Sequence, residues 1–237
     1  MVTTRSTWPP DTLEATVQRL IDQPPEPLIP VSERHAAVLI ALFEDAQRIV
    51  RVLLTKRASN LNSHRGEVAL PGGKRDPGDR DNVDTALREA QEEVGLDPQL
   101  VQVLGTLPPL LSIHRLSVTP VVGVVPAACI PTLRAAEAEV AAIFDVPLAL
   151  FLGAAGHSQR DVAWLHGPAP GVRFRLHYFE CGELGPVWGL TAAILIEAAR
   201  RAFAREPEFA EHAGRPFRDL WWDGEQVAYR QRQPALS

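Results

Sequence analysis

Cysteine is scarce in this chain. Cys129 and Cys181 are the only two in 237 residues, they lie far apart, and neither stands in a CxxC pair. That argues against a disulfide framework. Two reduced, mostly buried thiols fit a reducing compartment. Long hydrophobic runs are also lacking. No stretch approaches the ~20 apolar residues that span a bilayer, so no membrane partner is expected. Met1–Pro10 holds one arginine and no apolar core of a secretory signal. The closing Ala235-Leu236-Ser237 is not a peroxisomal address. The expectation is therefore a cytoplasmic protein, or one of a reducing organelle such as the mitochondrion in a eukaryote, and not a secreted one. Positive charge is not in excess either: the formal net charge is −5. A nucleic-acid polymer as main partner is thereby disfavoured, because phosphate backbones select a basic face. A small anionic ligand needs only a few local cations and stays open.

What is present is an ordinary globule. Hydrophobic residues make up 46% and charged residues 22%, enough for a sizeable core. The length favours one core domain with elaborated ends. Those divide as an N-terminal helix and Pro-rich linker over 1–32, a domain over 33–206 and a tail over 207–237. Pro9 to Leu20 reads as a short helix with Asp11 as N-cap. Pro24, Pro25, Pro27 and Pro30 then break the chain into a packed linker.

Ala36–Phe43 and Ile49–Leu54 are apolar runs joined by a Glu44-Asp45 turn, which predicts two paired strands. The polar stretch Arg57–Asp81 is too long for an ordinary connection, and long structured loops often carry function. Asn82–Gly95 is the clearest helix, with Val83, Ala86, Leu87, Ala90 and Val94 as its apolar stripe and Gly95 as its stop. Further strands are predicted over Val101–Leu107, Ser117–Val125, Asp161–Leu165 and Val172–Glu180. Pro120 points to an edge or a bulge in the second of these. Ala135–Ala142 is ambiguous, Pro147–Phe151 reads as a helical turn, and Trp188–Arg205 as a long helix. Strands before, between and after two good helices give an α/β chain, a mixed sheet with helices packed on it.

Chemistry concentrates on Gly72-Gly73 and the run Arg88-Glu89-Ala90-Gln91-Glu92-Glu93-Val94-Gly95-Leu96. At ~100° per residue, Glu89, Glu92 and Glu93 share an arc beside the apolar stripe. Three carboxylates on one face repel unless a cation sits among them. Magnesium takes oxygen ligands, keeps waters and bridges to phosphates, which is what such a face would serve. For the helix alone, a solvated acidic face with Arg88 paired to Glu92 is the favoured reading. The Leu70-Pro71-Gly72-Gly73 turn favours the metal reading, since its backbone can approach a ligand closely.

Residues 73 to 96 resemble the Nudix box, Gly-x5-Glu-x7-Arg-Glu-apolar-x-Glu-Glu-x-Gly-apolar. Arg88, Glu89, Glu92, Glu93, Gly95 and Leu96 match residue by residue. Asp79 stands where the first glutamate is expected, one residue further from Arg88. Both departures resemble the coenzyme A diphosphatase branch, plant-type and bacterial, whose loop reads Pro-Gly-Gly-x-x-Asp-x-x-Asp. Leu53-Leu54-Thr55-Lys56-Arg57-Ala58, Gly66 and Leu70-Pro71-Gly72-Gly73 resemble the motif that precedes the box in that branch. Asn62 replaces its arginine and Leu70 its phenylalanine. Glu139-Val140 and Phe144-Asp145-Val146-Pro147-Leu148 also look like this branch.

The resemblance implies a Nudix fold, a mixed β-sheet sandwiched between helices with the box as loop-helix-loop. It implies a diphosphatase that attacks phosphorus with water, with Mg²⁺ as cofactor and Mn²⁺ able to substitute. Glu89, Glu92 and Glu93 are the candidate metal ligands, with the Gly73 carbonyl beside them. Arg88 is expected to orient a glutamate through a bidentate pair, or to touch phosphate. The general base falls to a box glutamate, Glu92 or Glu93, or to the distant Glu139. Lys56, Arg57, Arg65 and Lys74 are candidates for the 3′-phosphate and diphosphate of coenzyme A, or else surface charges. His64 reads as a surface group, and Trp221 and Trp222 as packing residues. Asp76 and Asp79 read as turn and helix-cap residues.

Three functions compete at this point. One is hydrolysis of coenzyme A or acyl-coenzyme A to adenosine 3′,5′-bisphosphate and (acyl-)4′-phosphopantetheine. Another is a Nudix hydrolase acting on ADP-ribose, NADH or another nucleoside diphosphate derivative. The third is a Nudix-like binding module without catalysis. A homodimer stays open in each.

Overall fold

The computed structural model describes residues 12–22, 32–59, 66–163, 173–212, 220–222 and 227–229. Asp11, the prolines of the linker, Asn62, His64, Arg65 and Leu165 lie outside the described residues. In chain order the elements are α1 (Leu13–Ile21), β1 (His35–Glu44), β2 (Val50–Arg57), β3 (Val68–Ala69), β4 (Gly72–Lys74) and α2 (Asn82–Val94). Then come β5 (Gln102–Thr106), β6 (Leu110–Leu111), β7 (Ser117–Val124), β8 (Val140–Pro147), β9 (His157–Ala163), β10 (Arg173–Phe179), β11 (Val187–Trp188), α3 (Gly189–Phe203), β12 (Leu220–Trp222) and β13 (Val227–Tyr229).

An eight-stranded mixed sheet forms the centre. β1 runs parallel to β7 along its length, from His35 opposite Ser117 to Leu42 opposite Val124. On its other side β1 changes partner. Its C-terminal end pairs antiparallel with β2, Leu42 opposite Val52, while its N-terminal end pairs with β4, Ala37 opposite Gly73. β2, lined by β8 on its far edge, leaves β1 to pair with β3. Around this divergence the functional residues gather.

Both faces of β1 are buried, as expected of a central strand. Ala37, Leu39, Ala41 and Phe43 pack under Ala86, Ala90 and Val94 of α2. Ala36, Ile40 and Leu42 pack with Ala192, Leu195 and Ala199 of α3 on the opposite face. The period of two thus assigns each residue of β1 to one helix layer or the other. Each fully buried Leu or Ile contributes about 1.5–3 kcal/mol by removal from water. Phe151 and Phe179 meet edge to face at 5.0 Å within the α3 layer.

All five residues of the expected apolar stripe on α2 lie in one cluster. Its N-cap is Asp81, which accepts from the Asp84 amide, and its C-cap is Gly95 at φ 69°, whose amide reaches the Ala90 and Gln91 carbonyls. α1 begins later than the proline pattern indicates. Thr12 is its N-cap, because a threonine hydroxyl there accepts from the Ala15 amide. α1 is docked onto the sheet and α3: the Leu13 amide donates to Glu44, and Arg19 donates to the Ala202 carbonyl.

Two expectations need correction. Pro120 is neither at an edge nor in a bulge of its own strand, since β7 lies between β1 and β5. It sits where the ladder to β5, ending at Thr106 opposite Val121, gives way to β6, beginning at Leu110 opposite Val118. A residue without an N–H is tolerated at such a gap. The segment beyond the ambiguous Ala135–Ala142 is the strand β8. It opens on a short apolar run, Val140 to Phe144, but its burial is neither continuous nor alternating, so no period marks it.

Candidate active site

The site lies where β1 exchanges β2 for β4, beneath the C-terminal half of α2. Gly72 presses against β1 so closely that an added Cβ would run into the Ala37 carbonyl and Val38. Gly73 is equally restricted, since a Cβ there would enter the Glu89 carboxylate. Glycine at both positions lets bare backbone approach the acidic face of α2.

Glu93 is the most enclosed of the acids, 2% exposed. One carboxylate oxygen accepts the Gly72 amide at 3.1 Å and the other meets Arg57 Nη1 at 3.3 Å. Burial pushes its pKa up to about 7, opposed by the Gly72 hydrogen bond and the Arg57 charge. Burial raises Glu89 as well, opposed by Arg88. Glu139, far downstream in sequence, lies within electrostatic reach of both and raises both. Its backbone is tied to the end of β2, where the Ala58 amide donates to the Glu139 carbonyl at 2.9 Å.

Arg88 is fully engaged. Its Nε and Nη2 take the two oxygens of Asp79 at 2.9 and 3.0 Å. Nη1 donates to Glu92 at 2.9 Å, and Nη2 also reaches the Lys74 carbonyl and Glu89. The expected bidentate pair exists, but its partner is an aspartate. Asp79 is more than a turn residue: it also accepts from the Asp76 amide and the Thr85 hydroxyl, and Arg88 holds its carboxyl far below the usual range. The helix cap is Asp81, not Asp76 or Asp79.

The expected ligands divide accordingly. Glu89, Glu93 and the Gly73 backbone meet at one place, with Glu139 nearby. Glu92 is more exposed and turned to Arg88. Among the described residues, no three Asp, Glu, His or Cys side chains already form a metal-holding group. The donor set nevertheless suits a hard cation. Oxygen donors converge in a partly desolvated place where their charges repel, and a divalent ion relieves both costs. Glu92 would have to turn from Arg88 to join them.

The four expected substrate cations do not form one cluster. Arg57 stands against Glu93. Lys56, next along β2, leaves on the other face by strand alternation. Lys74 likewise alternates with Gly73 and lines an open cleft of about 500 Å³ with Arg34, His35 and Arg75. Arg65 lies outside the described residues. The sequence pattern does not show two features, the Asp79 anchor and the mixed-charge cleft beside Lys74, which Glu33, Asp76 and Asp79 also line. The place of Asp79 in the box was a signal for the first.

A mixed sheet between helices, with a glycine turn set against a carboxylate-bearing helix, defines an α/β protein with a backbone-lined acidic site. Comparison with known proteins makes the assignment specific. Residues 33–161 match the NUDIX domain. The chain is 44% identical over 181 residues to "Nudix hydrolase 15, mitochondrial" of Arabidopsis thaliana, covering 75% of this chain and 62% of that protein. It is 45% identical over 193 residues to "Nudix hydrolase 22, chloroplastic" of the same plant, covering 78% and 62%. To the uncharacterized Nudix hydrolase NudL of Photorhabdus laumondii it is 41% identical over 178 residues, covering 75% and 90%. The chain therefore spans under two thirds of the plant relatives and most of the bacterial one. It belongs to the Nudix hydrolase family.

Proposed function

We propose that the chain hydrolyses the diphosphate bond of coenzyme A or acyl-coenzyme A, giving adenosine 3′,5′-bisphosphate and (acyl-)4′-phosphopantetheine. The observation that carries the diphosphatase reading is the convergence of Glu89, Glu93 and the Gly72–Gly73 backbone, with Glu139 within electrostatic reach. The segment Leu53–Gly73, with its resemblance to the coenzyme A branch, supports the choice of substrate.

Glu89, Glu93 and the Gly73 carbonyl, joined by Glu92, would hold Mg²⁺ or Mn²⁺. When bound, such an ion neutralises phosphate oxygens and lowers the pKa of a bound water. Glu139, exposed and within electrostatic reach of Glu89 and Glu93, is our candidate to take the proton as water adds to one phosphorus. The bridging oxygen leaves with the other phosphate. Arg88, fixed by Asp79, keeps Glu89 in place and releases Glu92 when that side chain turns to the ion. Lys74, with Arg34, His35 and Arg75 in the open cleft that Glu33, Asp76 and Asp79 also line, is our candidate for the 3′-phosphate.

A reducing compartment is the setting we propose. Cys129 and Cys181 are both free thiols, and no described helix is long and apolar enough to cross a membrane.

The test is product analysis. The protein is incubated with Mg²⁺ and, separately, coenzyme A, acetyl-coenzyme A, ADP-ribose and NADH, and the products are resolved by chromatography and mass. Adenosine 3′,5′-bisphosphate forming fastest is the expected result. AMP from ADP-ribose or NADH, with coenzyme A untouched, overturns the substrate. Tight ligand binding with no product from any of them favours a binding module.

A further inference from the structure

The cation beside Glu93 has more than one duty. Arg57 ends β2, where the ladder to β8 shifts register between Lys56 and Arg57. Its backbone is fixed there, since the Arg57 amide donates to the Glu67 carbonyl at 2.9 Å. Alternation from Leu53, which packs in the α2 layer, puts Arg57 on the face of the sheet that carries α2. Its guanidinium then meets Glu93, whose second oxygen is already held by Gly72.

Two features of that contact are unusual. The pair is joined by one guanidinium nitrogen at 3.3 Å, not by the two-pronged geometry an arginine can offer a carboxylate. The Arg57 Nε–H is buried and has no partner among the described residues. An unpaired buried donor is costly unless something fills it. Arg88, fully engaged with Asp79, Glu92 and Glu89, shows the contrast. Arg57 has a spare donor next to the carboxylate that a cation would claim.

We propose that Arg57 is a hand-over residue, which neutralises Glu93 in the cation-free protein and passes to a phosphate oxygen of the substrate once a divalent cation takes Glu93. Its positive charge opposes the cation while the substrate is absent. With substrate bound, the diphosphate lies between the two positive centres and the opposition becomes attraction. Cation and substrate then bind cooperatively, and the coupling is reciprocal. The inference rests on the cation-dependent diphosphatase reading and adds to it a residue that links the two ligands.

The experiment measures Mn²⁺ binding by electron paramagnetic resonance, with and without a non-hydrolysable methylene-bridged diphosphate analogue. Wild type, Arg57→Gln and Arg57→Lys are compared, together with kcat and KM for coenzyme A. In wild type the analogue should tighten Mn²⁺ binding roughly 5-fold or more. In Arg57→Gln, Mn²⁺ alone should bind tighter than in wild type, the analogue should add little, and KM should rise more than kcat falls. Arg57→Lys restores the charge without the Nε donor. It should return Mn²⁺ affinity towards wild type while KM stays raised. Weaker or unchanged Mn²⁺ binding in a folded Arg57→Gln protein, as a merely structural arginine would give, overturns the hand-over. Failure of wild type to bind Mn²⁺ overturns the cation-dependent reading itself.

Discussion

Asp79 and Arg88 face each other across the loop that leads into α2, and the guanidinium grips both carboxylate oxygens at 2.9 and 3.0 Å. The same guanidinium reaches Glu92, Glu89 and the Lys74 carbonyl. One aspartate therefore fixes the arginine that spaces the acidic side chains and ties the glycine turn to the helix. Asp79→Asn keeps the shape but removes the charge. It is expected to lower kcat by about 10- to 100-fold through misplacement of the groups Arg88 holds. Melting temperature should fall by a few degrees, as a partly buried charge pair is broken. Steady-state kinetics and thermal melts check both, and an unchanged kcat would remove Arg88 from the positioning of the acids.

Gly73→Ala tests the approach of backbone to helix. A Cβ at this position occupies space now held by the Glu89 carboxylate. Glu89 must turn aside, so activity should drop by at least about 10-fold. The fold is expected to survive, because Gly73 lies on the short β4 and Glu89 is partly exposed. Turnover close to wild type would show that Glu89 has no fixed place in catalysis.

The separate three-stranded sheet of β9, β10 and β11 carries a pH dependence of its own. His177 is 4% exposed, donates to or accepts from His157 at 2.9 Å, and touches the Glu211 carbonyl through its other nitrogen. Burial depresses its pKa, with Arg175 and His212 adding to the effect. The unfolded chain therefore binds the proton more readily than the folded one. Stability from neutral His177 is complete above the ordinary value of 6.5 and is lost as pH falls through it. His157, depressed in the same direction, adds to the loss. Thermal melts from pH 8 to pH 5 should show a falling melting temperature below pH 6.5, and a smaller fall in His177→Gln. A flat profile in wild type would contradict the assigned environment.

Much of this was legible beforehand, for identifiable reasons. The 3.6-residue period of Val83, Ala86, Leu87, Ala90 and Val94 fixes which side of α2 is buried and hence where Glu89, Glu92 and Glu93 emerge. Gly95 marks its end because a left-handed residue is required there. Arg57 was visible as a cation of the site, but its pairing with Glu93 was not. That pairing depends on the alternation of β2 read against the placement of α2, a tertiary relationship. β8 does not stand out because Asp145 interrupts its apolar run and its half-buried residues follow no period. The local pattern of Asp, Pro and Gly accounts for Asp79 as turn chemistry without a distant partner. Its arginine lies nine positions away, on the next element.

The most direct measurement is a Mg²⁺ titration of coenzyme A hydrolysis by chelator-stripped protein, run in parallel with Glu93→Gln. The variant keeps the size of the side chain and its capacity to accept the Gly72 amide, but it loses the charge that would hold a cation. Wild type should be inactive in chelator and recover saturably with Mg²⁺, while Glu93→Gln stays at least about 100-fold slower at every concentration. Equal turnover of the two proteins, or full turnover of wild type in chelator, would contradict cation-dependent hydrolysis at this site.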